Sequence, residues 1–215
     1  MVQTPPQSAI IATGTSFAQD CPLMYEMHFQ QGDTAMITNK EELRRVLALE
    51  AKVYEYRWYY RLPFYLTENK ILYRHARALR LAEYAYNTHA WNRHFRLFRL
   101  MQIQTRYALS IPMNVLGEGF SIAHLGPVII NAGSSIGPDA RIHPGVCIGA
   151  NGGNPPRIGS NVYLGPGAKV FGDIELADDI MVGANAVVNH SCLTKGAHLV
   201  GVPAREVGAG AAFVK

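Results

Sequence analysis

Cysteine is scarce in this 215-residue chain: Cys21, Cys147 and Cys192 are odd in number, widely spaced and form no CxxC pair. That excludes a disulfide framework and a cysteine-based zinc site, and it suits a reducing compartment. No run approaches the roughly 18 uncharged apolar residues of a membrane span. No Lys or Arg precedes Lys40, so the charged start of a secretory leader is lacking and a cytoplasmic location is expected. Acidic residues are few between Lys52 and Arg106, where Glu55, Glu68 and Glu83 face a run of basic residues that includes Arg74, Arg77, Arg80, Arg93, Arg96 and Arg99. Such a stretch carries the charge to meet nucleic acid, an anionic membrane or a phosphorylated ligand. A solvated helical face, with Arg stems lying over apolar surface, accounts for it more simply. No nucleic-acid partner is therefore expected, membrane-surface contact through the basic helices is a secondary expectation, and no His, Cys, Asp or Glu spacing predicts a metal.

What the chain has in plenty is a repeat. Aliphatic residues recur at nearly every sixth position: Ile130, Ile136, Ile142, Ile148, Ile158, Leu164, Val170, Leu176, Val182, Val188 and Val200. The next residue is often Gly or Asn, as at Gly137, Gly149, Gly165, Gly183 and Asn189, types that tolerate positive φ at tight corners. Four positions after each aliphatic stands a small or apolar residue, among them Ala140, Val146, Val162, Ala168, Ile180, Ala186, Cys192 and Ala204. Two inward positions in every six residues predict a β-solenoid of short strands stacked into a prism. A β-sandwich would need longer alternating strands and more widely spaced turns.

Ahead of the repeat the pattern is helical. Residues 1–35, with Pro5 and Pro6 and no periodicity, are predicted to form a mobile N-terminal arm, followed by an α-helical domain over 36–110, a β-helix over 111–208 and a tail over 209–215. Asn39 and Glu42 resemble a capping box for a first helix reaching about Tyr60, with Leu43, Val46, Leu47, Val53 and Tyr54 on one face. Pro63 breaks that pattern, Thr67 caps a second helix to about Asn87, and a third runs from about Asn92 to Leu109. In the third, Arg93, Arg96 and Arg99 flank Phe95, Phe98 and Met101, which suits packing against a neighbouring helix or subunit. Pro112 ends the helical region, and Gly117 and Gly119 lead into the first coil.

The segment Gly119-Phe-Ser-Ile-Ala-His-Leu-Gly126, the run from Ile142 to Gly149, the run from Ile158 to Ala168 and the closing Gly201-Val-Pro-Ala-Arg205 together resemble the serine acetyltransferase branch of the hexapeptide-repeat acyltransferases. The resemblance covers about residues 108–208. It implies a left-handed parallel β-helix preceded by a small helical region, three hexads to a coil, assembled as a homotrimer that can pair into a dimer of trimers. It also implies acetyl-CoA as co-substrate, lying in a groove between neighbouring prisms while an acceptor hydroxyl attacks the thioester. A hydroxyl is a poor nucleophile at neutral pH, so this chemistry needs a general base and donors for the developing oxyanion.

His124 matches the family's base residue. His143, one coil further on at a corner where Gly or Asn is usual, is a candidate to orient the acceptor or share proton transfer. Residues Ala150 to Arg157 add four residues to the hexad period and must loop out of the solenoid; no phosphate-binding GxxxxGK[ST] motif occurs there. The resemblance places the CoA groove at Ala150, Asn151, Gly167, Ala168, Ala184, Asn185 and Arg205, with small residues admitting the pantetheine to backbone amides and Arg205 facing a CoA phosphate.

Three positions depart from the serine-specific pattern. The family's Asp before the base is Ala123 here, an upstream Asp that partners the base is Leu109, and a second His in the loop is Pro155. Those losses, and a likeness to members associated with surface-polysaccharide biosynthesis, direct the expectation to O-acetylation of a saccharide hydroxyl, with L-serine as the alternative acceptor. Two further readings remain: Cys147 as a covalent acyl carrier, which packing explains better, and the solenoid as a non-catalytic binding module.

Overall fold

Asn39 accepts a hydrogen bond from Glu42 N at 2.9 Å and opens helix α1, Lys40–Val53, in a computed structural model that describes residues 36–62, 64 and 66–210. The expected N-terminal arm, Pro63 and residues 211–215 lie outside the described residues. The capping box is shifted by one residue, because Glu42 Oε2 accepts from Thr38 N at 3.3 Å. Helix α1 stops at Val53 and not near Tyr60. Glu55 has φ 49, and Tyr54 turns inward to set its ring edge-on to Phe120 at 6.5 Å. Only a short turn, Trp58–Arg61, follows. Helix α2, Glu68–Asn87, starts at the Thr67 cap as expected. Helix α3, Arg93–Tyr107, ends two residues short of Leu109 because Ala108 is left-handed, φ 55, and Leu109 enters a strand paired with Val128.

From there the chain winds a β-solenoid of about five turns, as the repeat predicts. Its first face stacks Leu109–Ser110, Val128–Ile130, Cys147–Gly149, Lys169–Phe171 and Val187–Val188. Ser135–Ile136, Arg157–Ile158 and Glu175–Leu176 make the second. The third runs from Ser121–Ile122 through Arg141–Ile142, Tyr163–Leu164 and Met181–Val182 to Ala197–Gly201. Pairing from coil to coil is parallel, with Ile130 beside Ile148 and Ile148 beside Val170. The aliphatic column from Ile130 to Val188 and the second inward column, Ala140 to Ala186, are buried.

The columns slip at the last coil. Val182 pairs with Leu199, which is 1% exposed, whereas Val200, expected inside, is 41% exposed. Here Ala197–Gly201 also pairs antiparallel with Ala204–Ala209, a hairpin that closes the open end of the solenoid.

The glycine column has a different cause from the one its composition suggests. Positive φ falls three residues after the aliphatics of the second and third faces, at Asp139, Gly145, Asn161, Gly167, Asp179 and Asn185. The glycines immediately after the aliphatics are required by space. A Cβ on Gly137 would lie 2.7 Å from Gly159 C and Ser160 N of the next coil. Strands stacked about 4.8 Å apart leave no room for it. Gly137→Ala is therefore expected to cost about 1–3 kcal/mol, as overpacking does, read as a lower urea midpoint at unchanged slope.

Helices and solenoid share one core, in which Leu72, Ala76 and Leu79 of α2 join Val115, Leu116 and Phe120 of the first coil. Through this core runs a buried cation. Arg80 donates to Glu50 Oε1 at 2.7 Å, Glu83 Oε2 at 2.9 Å, and the carbonyls of Leu116 and Gly117 at 2.9 and 2.6 Å. Its guanidinium lies 5.0 Å from the Phe120 ring centre. Two helices are thereby locked to the coil that carries His124. Phe95, Phe98 and Met101 of α3 stay exposed.

Candidate active site

Coil stacking gathers the edge between the third and first faces into a single line of residues. His124 follows Ser121–Ile122 on this edge; one coil on, His143 follows Arg141–Ile142; the next two coils contribute Gly167 and then Ala184 with Asn185. The His124 and His143 rings lie 6.2 Å apart between centroids.

The helices hold the His124 segment from outside the solenoid. Tyr54 Oη accepts from Ile122 N at 3.0 Å. Glu68, the first residue of α2, accepts from Leu125 N through Oε1 at 2.6 Å and meets His124 Nδ1 through Oε2 at 3.2 Å. The Leu125 amide is the main cause that holds the Glu68 carboxyl below its ordinary range, with His124 adding to it. His124 remains open, its side chain 63% exposed.

His143 sits deeper. Its ring lies 4.9 Å from that of Tyr163, and Nε2 is buried without a hydrogen-bond partner. Burial, then the charges of Arg141 and His124, lowers its pKa below the ordinary 6.5. That shift favours the neutral imidazole, a form that both donates and accepts a hydrogen bond.

The remaining candidates divide between two edges. Ala150 and Asn151 are exposed in the loop after Cys147–Gly149, on the edge between the first and second faces. Roughly 13 Å of extended chain, four residues at about 3.3 Å each, separates this edge from the His124 edge within one chain. The loop is tied down by Asn154 to Asp173 at 3.1 Å and Arg157 to Asp173 at 3.8 Å. Ala168 faces the interior, 0% exposed, and its amide donates to Gly165 O, so neither its side chain nor its N–H reaches a groove. The cause is its place in the second inward column. The amides of Gly167 and Asn185 donate to Pro144 O and Pro166 O of the preceding coils. Ala184 is exposed on the edge, and so is Arg205 at the closing hairpin. Cys147 is half-buried on the first face, in register between Ile129 and Lys169.

No family model matches the chain. The curated serine acetyltransferase of Mycobacterium tuberculosis is 37% identical over 101 residues, 45% of this chain and 44% of that protein. That of Helicobacter pylori is 40% identical over 96 residues, 43% of this chain and 56% of that protein. This chain is similar to serine acetyltransferases. It spans about half the length of the curated relatives it matches. A solved serine acetyltransferase from Brucella abortus in complex with coenzyme A superposes with a TM-score of 0.62 at 21% identity, covering 81% of this chain and 71% of that one; likeness at that identity carries the fold. Nothing in these likenesses points to surface-polysaccharide biosynthesis, so the expected nearness to such members is withdrawn.

Two residues of this candidate site escaped the sequence. Glu68 lies 56 residues before His124, in another element, and reads in sequence as an ordinary acid of a helix's first turn. Tyr163 had a signal in the outward position it shares with Arg141, one coil apart, which the six-residue register predicts once the coil length is known. Among the described residues no helix is long and apolar enough to cross a membrane.

Proposed function

We propose that this protein is an acetyl-CoA-dependent O-acetyltransferase in which His124 is the general base and L-serine the acceptor. The observation that carries the reading is the His124 imidazole, held by a carboxylate on the same solenoid edge as His143 and the small residues at Gly167 and Ala184. His124 Nε2 takes the proton of the acceptor hydroxyl as its oxygen attacks the acetyl carbonyl. The tetrahedral intermediate collapses with cleavage of the C–S bond, and the imidazolium returns the proton to the departing sulfur. The products are the O-acetyl ester and free CoA. His143, 6.2 Å from His124 between ring centres, orients the hydroxyl.

The curated relatives, all named serine acetyltransferase, support serine over the saccharide suggested by Ala123, Leu109 and Pro155. A homotrimer is part of the proposal. Ala150 and Asn151 lie on one edge and Ala184 and Asn185 on the next, so a CoA groove that uses both sets needs a second copy of the chain. Division of the chain into a helical region and a solenoid that carries the site belongs to the same reading.

Release of free thiol from acetyl-CoA, measured with L-serine, amino sugars, nucleotide sugars and simple glycosides, tests it. Serine-dependent turnover supports the proposal. Turnover with saccharides alone restores the sugar reading, and turnover with none, together with no affinity for CoA, leaves a binding module.

A further inference from the structure

We propose that Glu68 is the positioning residue of this site: its carboxylate fixes the His124 tautomer that leaves Nε2 as the base, and helix α2, not the solenoid, delivers it. The inference rests on the O-acetyltransferase reading for its consequence, but its geometry stands independently of any substrate.

Both oxygens of Glu68 are committed to adjacent residues of one segment, Oε1 to Leu125 N at 2.6 Å and Oε2 to His124 Nδ1 at 3.2 Å. An ionised carboxylate only accepts hydrogen bonds. Nδ1 must therefore carry the proton, and Nε2 presents its lone pair to a hydroxyl. The negative charge is favoured where it stands, at the N-terminus of a 20-residue helix. An acid serving only its own helix behaves like Glu42 of α1, whose carboxylate reaches back to Thr38 N. Glu68 reaches across to the solenoid instead.

The solenoid itself supplies no such group at the two positions where the resemblance expects one. Leu109 is buried in the core, and Ala123 has no functional group. Helix α2 is held in place by the Arg80 contacts to the Leu116 and Gly117 carbonyls of the first coil. The helical region thus does for the imidazole what a carboxylate on the prism would do. The same helix positions the Leu125 amide, so one residue sets both the ring and the backbone beside it.

Glu68→Gln separates this role from packing, because it keeps the shape and removes the charge. The amide oxygen can still accept from Leu125 N, but the NH2 group then faces Nδ1 as a donor and drives the imidazole proton to Nε2. Imidazole nitrogen NMR is expected to show His124 as the Nδ1–H tautomer in the parent and in Glu68→Asp, and as Nε2–H in Glu68→Gln. Thiol release should fall about 10²–10⁴-fold in Glu68→Gln at unchanged KM for acetyl-CoA, as when a base holds its proton on the wrong nitrogen. Melting temperature should move by less than about 2 °C. In a His124→Ala background the same substitution should cost less than about twofold, since residues acting as a unit are not additive. An unchanged tautomer in Glu68→Gln, or an equal loss in the His124→Ala background, would overturn the proposal. If the parent transfers acetyl to no acceptor, the enzymatic reading fails, and the tautomer measurement still decides whether Glu68 positions His124.

Discussion

Turnover of acetyl-CoA falls by about 10²–10⁴-fold in His124→Ala while KM for acetyl-CoA changes by less than about twofold, because the imidazole acts on the acceptor proton and not on the thioester's binding. The alcohol must lose its proton as it attacks, and among the described residues of this edge the other imidazole is that of His143. Burial, then the charges of Arg141 and His124, lowers the pKa of His143 and so weakens it as a base, which leaves it the orienting role. Steady-state thiol release at saturating acceptor measures the effect. A loss of less than about threefold would falsify the mechanism and return Cys147 to consideration; a Cys147→Ser protein of near-normal rate then separates the two.

Arg80→Met is expected to destabilise the folded protein by about 3–5 kcal/mol, because two buried carboxylates lose the cation that compensates them. Glu50, Arg80 and Glu83 are 0%, 3% and 1% exposed, and Glu50 Oε2 already lacks a partner. The Leu116 and Gly117 carbonyls lose their donor as well. Burial pushes the Glu50 carboxyl up to about 7 from its ordinary 4.5, against the pull of Arg80. The folded state thus holds this proton more tightly than the unfolded chain. Its contribution to stability is full below about pH 4.5 and is lost as pH rises through about 7. Without Arg80 the pull is gone, and the loss toward higher pH becomes steeper. Urea unfolding of parent and variant at about pH 5 and about pH 8 measures both effects; equal destabilisation at the two pH values would show that Glu50 is not the group responsible. Replacing Glu50 by Leu in the Arg80→Met background should recover part of the loss, since an apolar pair needs no compensation.

The solenoid was legible because its period is local. Each coil repeats the same two inward positions, so Ile142, Val146 and Leu164 announce their burial from spacing alone. Helix starts were legible for the same reason: Asn39 and Thr67 cap the residues immediately after them. The ends were not. Where α1 stops depends on Tyr54 reaching Ile122, and where α3 stops depends on Leu109 finding Val128, both long-range contacts. Gly137 was placed correctly and explained wrongly, because room for a Cβ is decided by the next coil, whose backbone is 22 residues away in the pairing of Ile136 with Ile158.

The site divides in the same way. His124 could be named from its match to the family's base residue and His143 from its corner one coil further on, and Ala123, Leu109 and Pro155 could be named as departures from the serine pattern. Whether the lost carboxylates mattered could not be read there. Glu68 belongs to a helix that the chain folds back onto the first coil, and its distance in sequence from His124 carries no signal. Periodicity determined the prism and its inward columns, since a six-residue turn fixes them without reference to the rest of the molecule. The partner of the base, the burial of Arg80 between two helices and a coil, and the slip from Val200 to Leu199 were decided by tertiary structure, because each depends on which distant surfaces come into contact when the prism is capped.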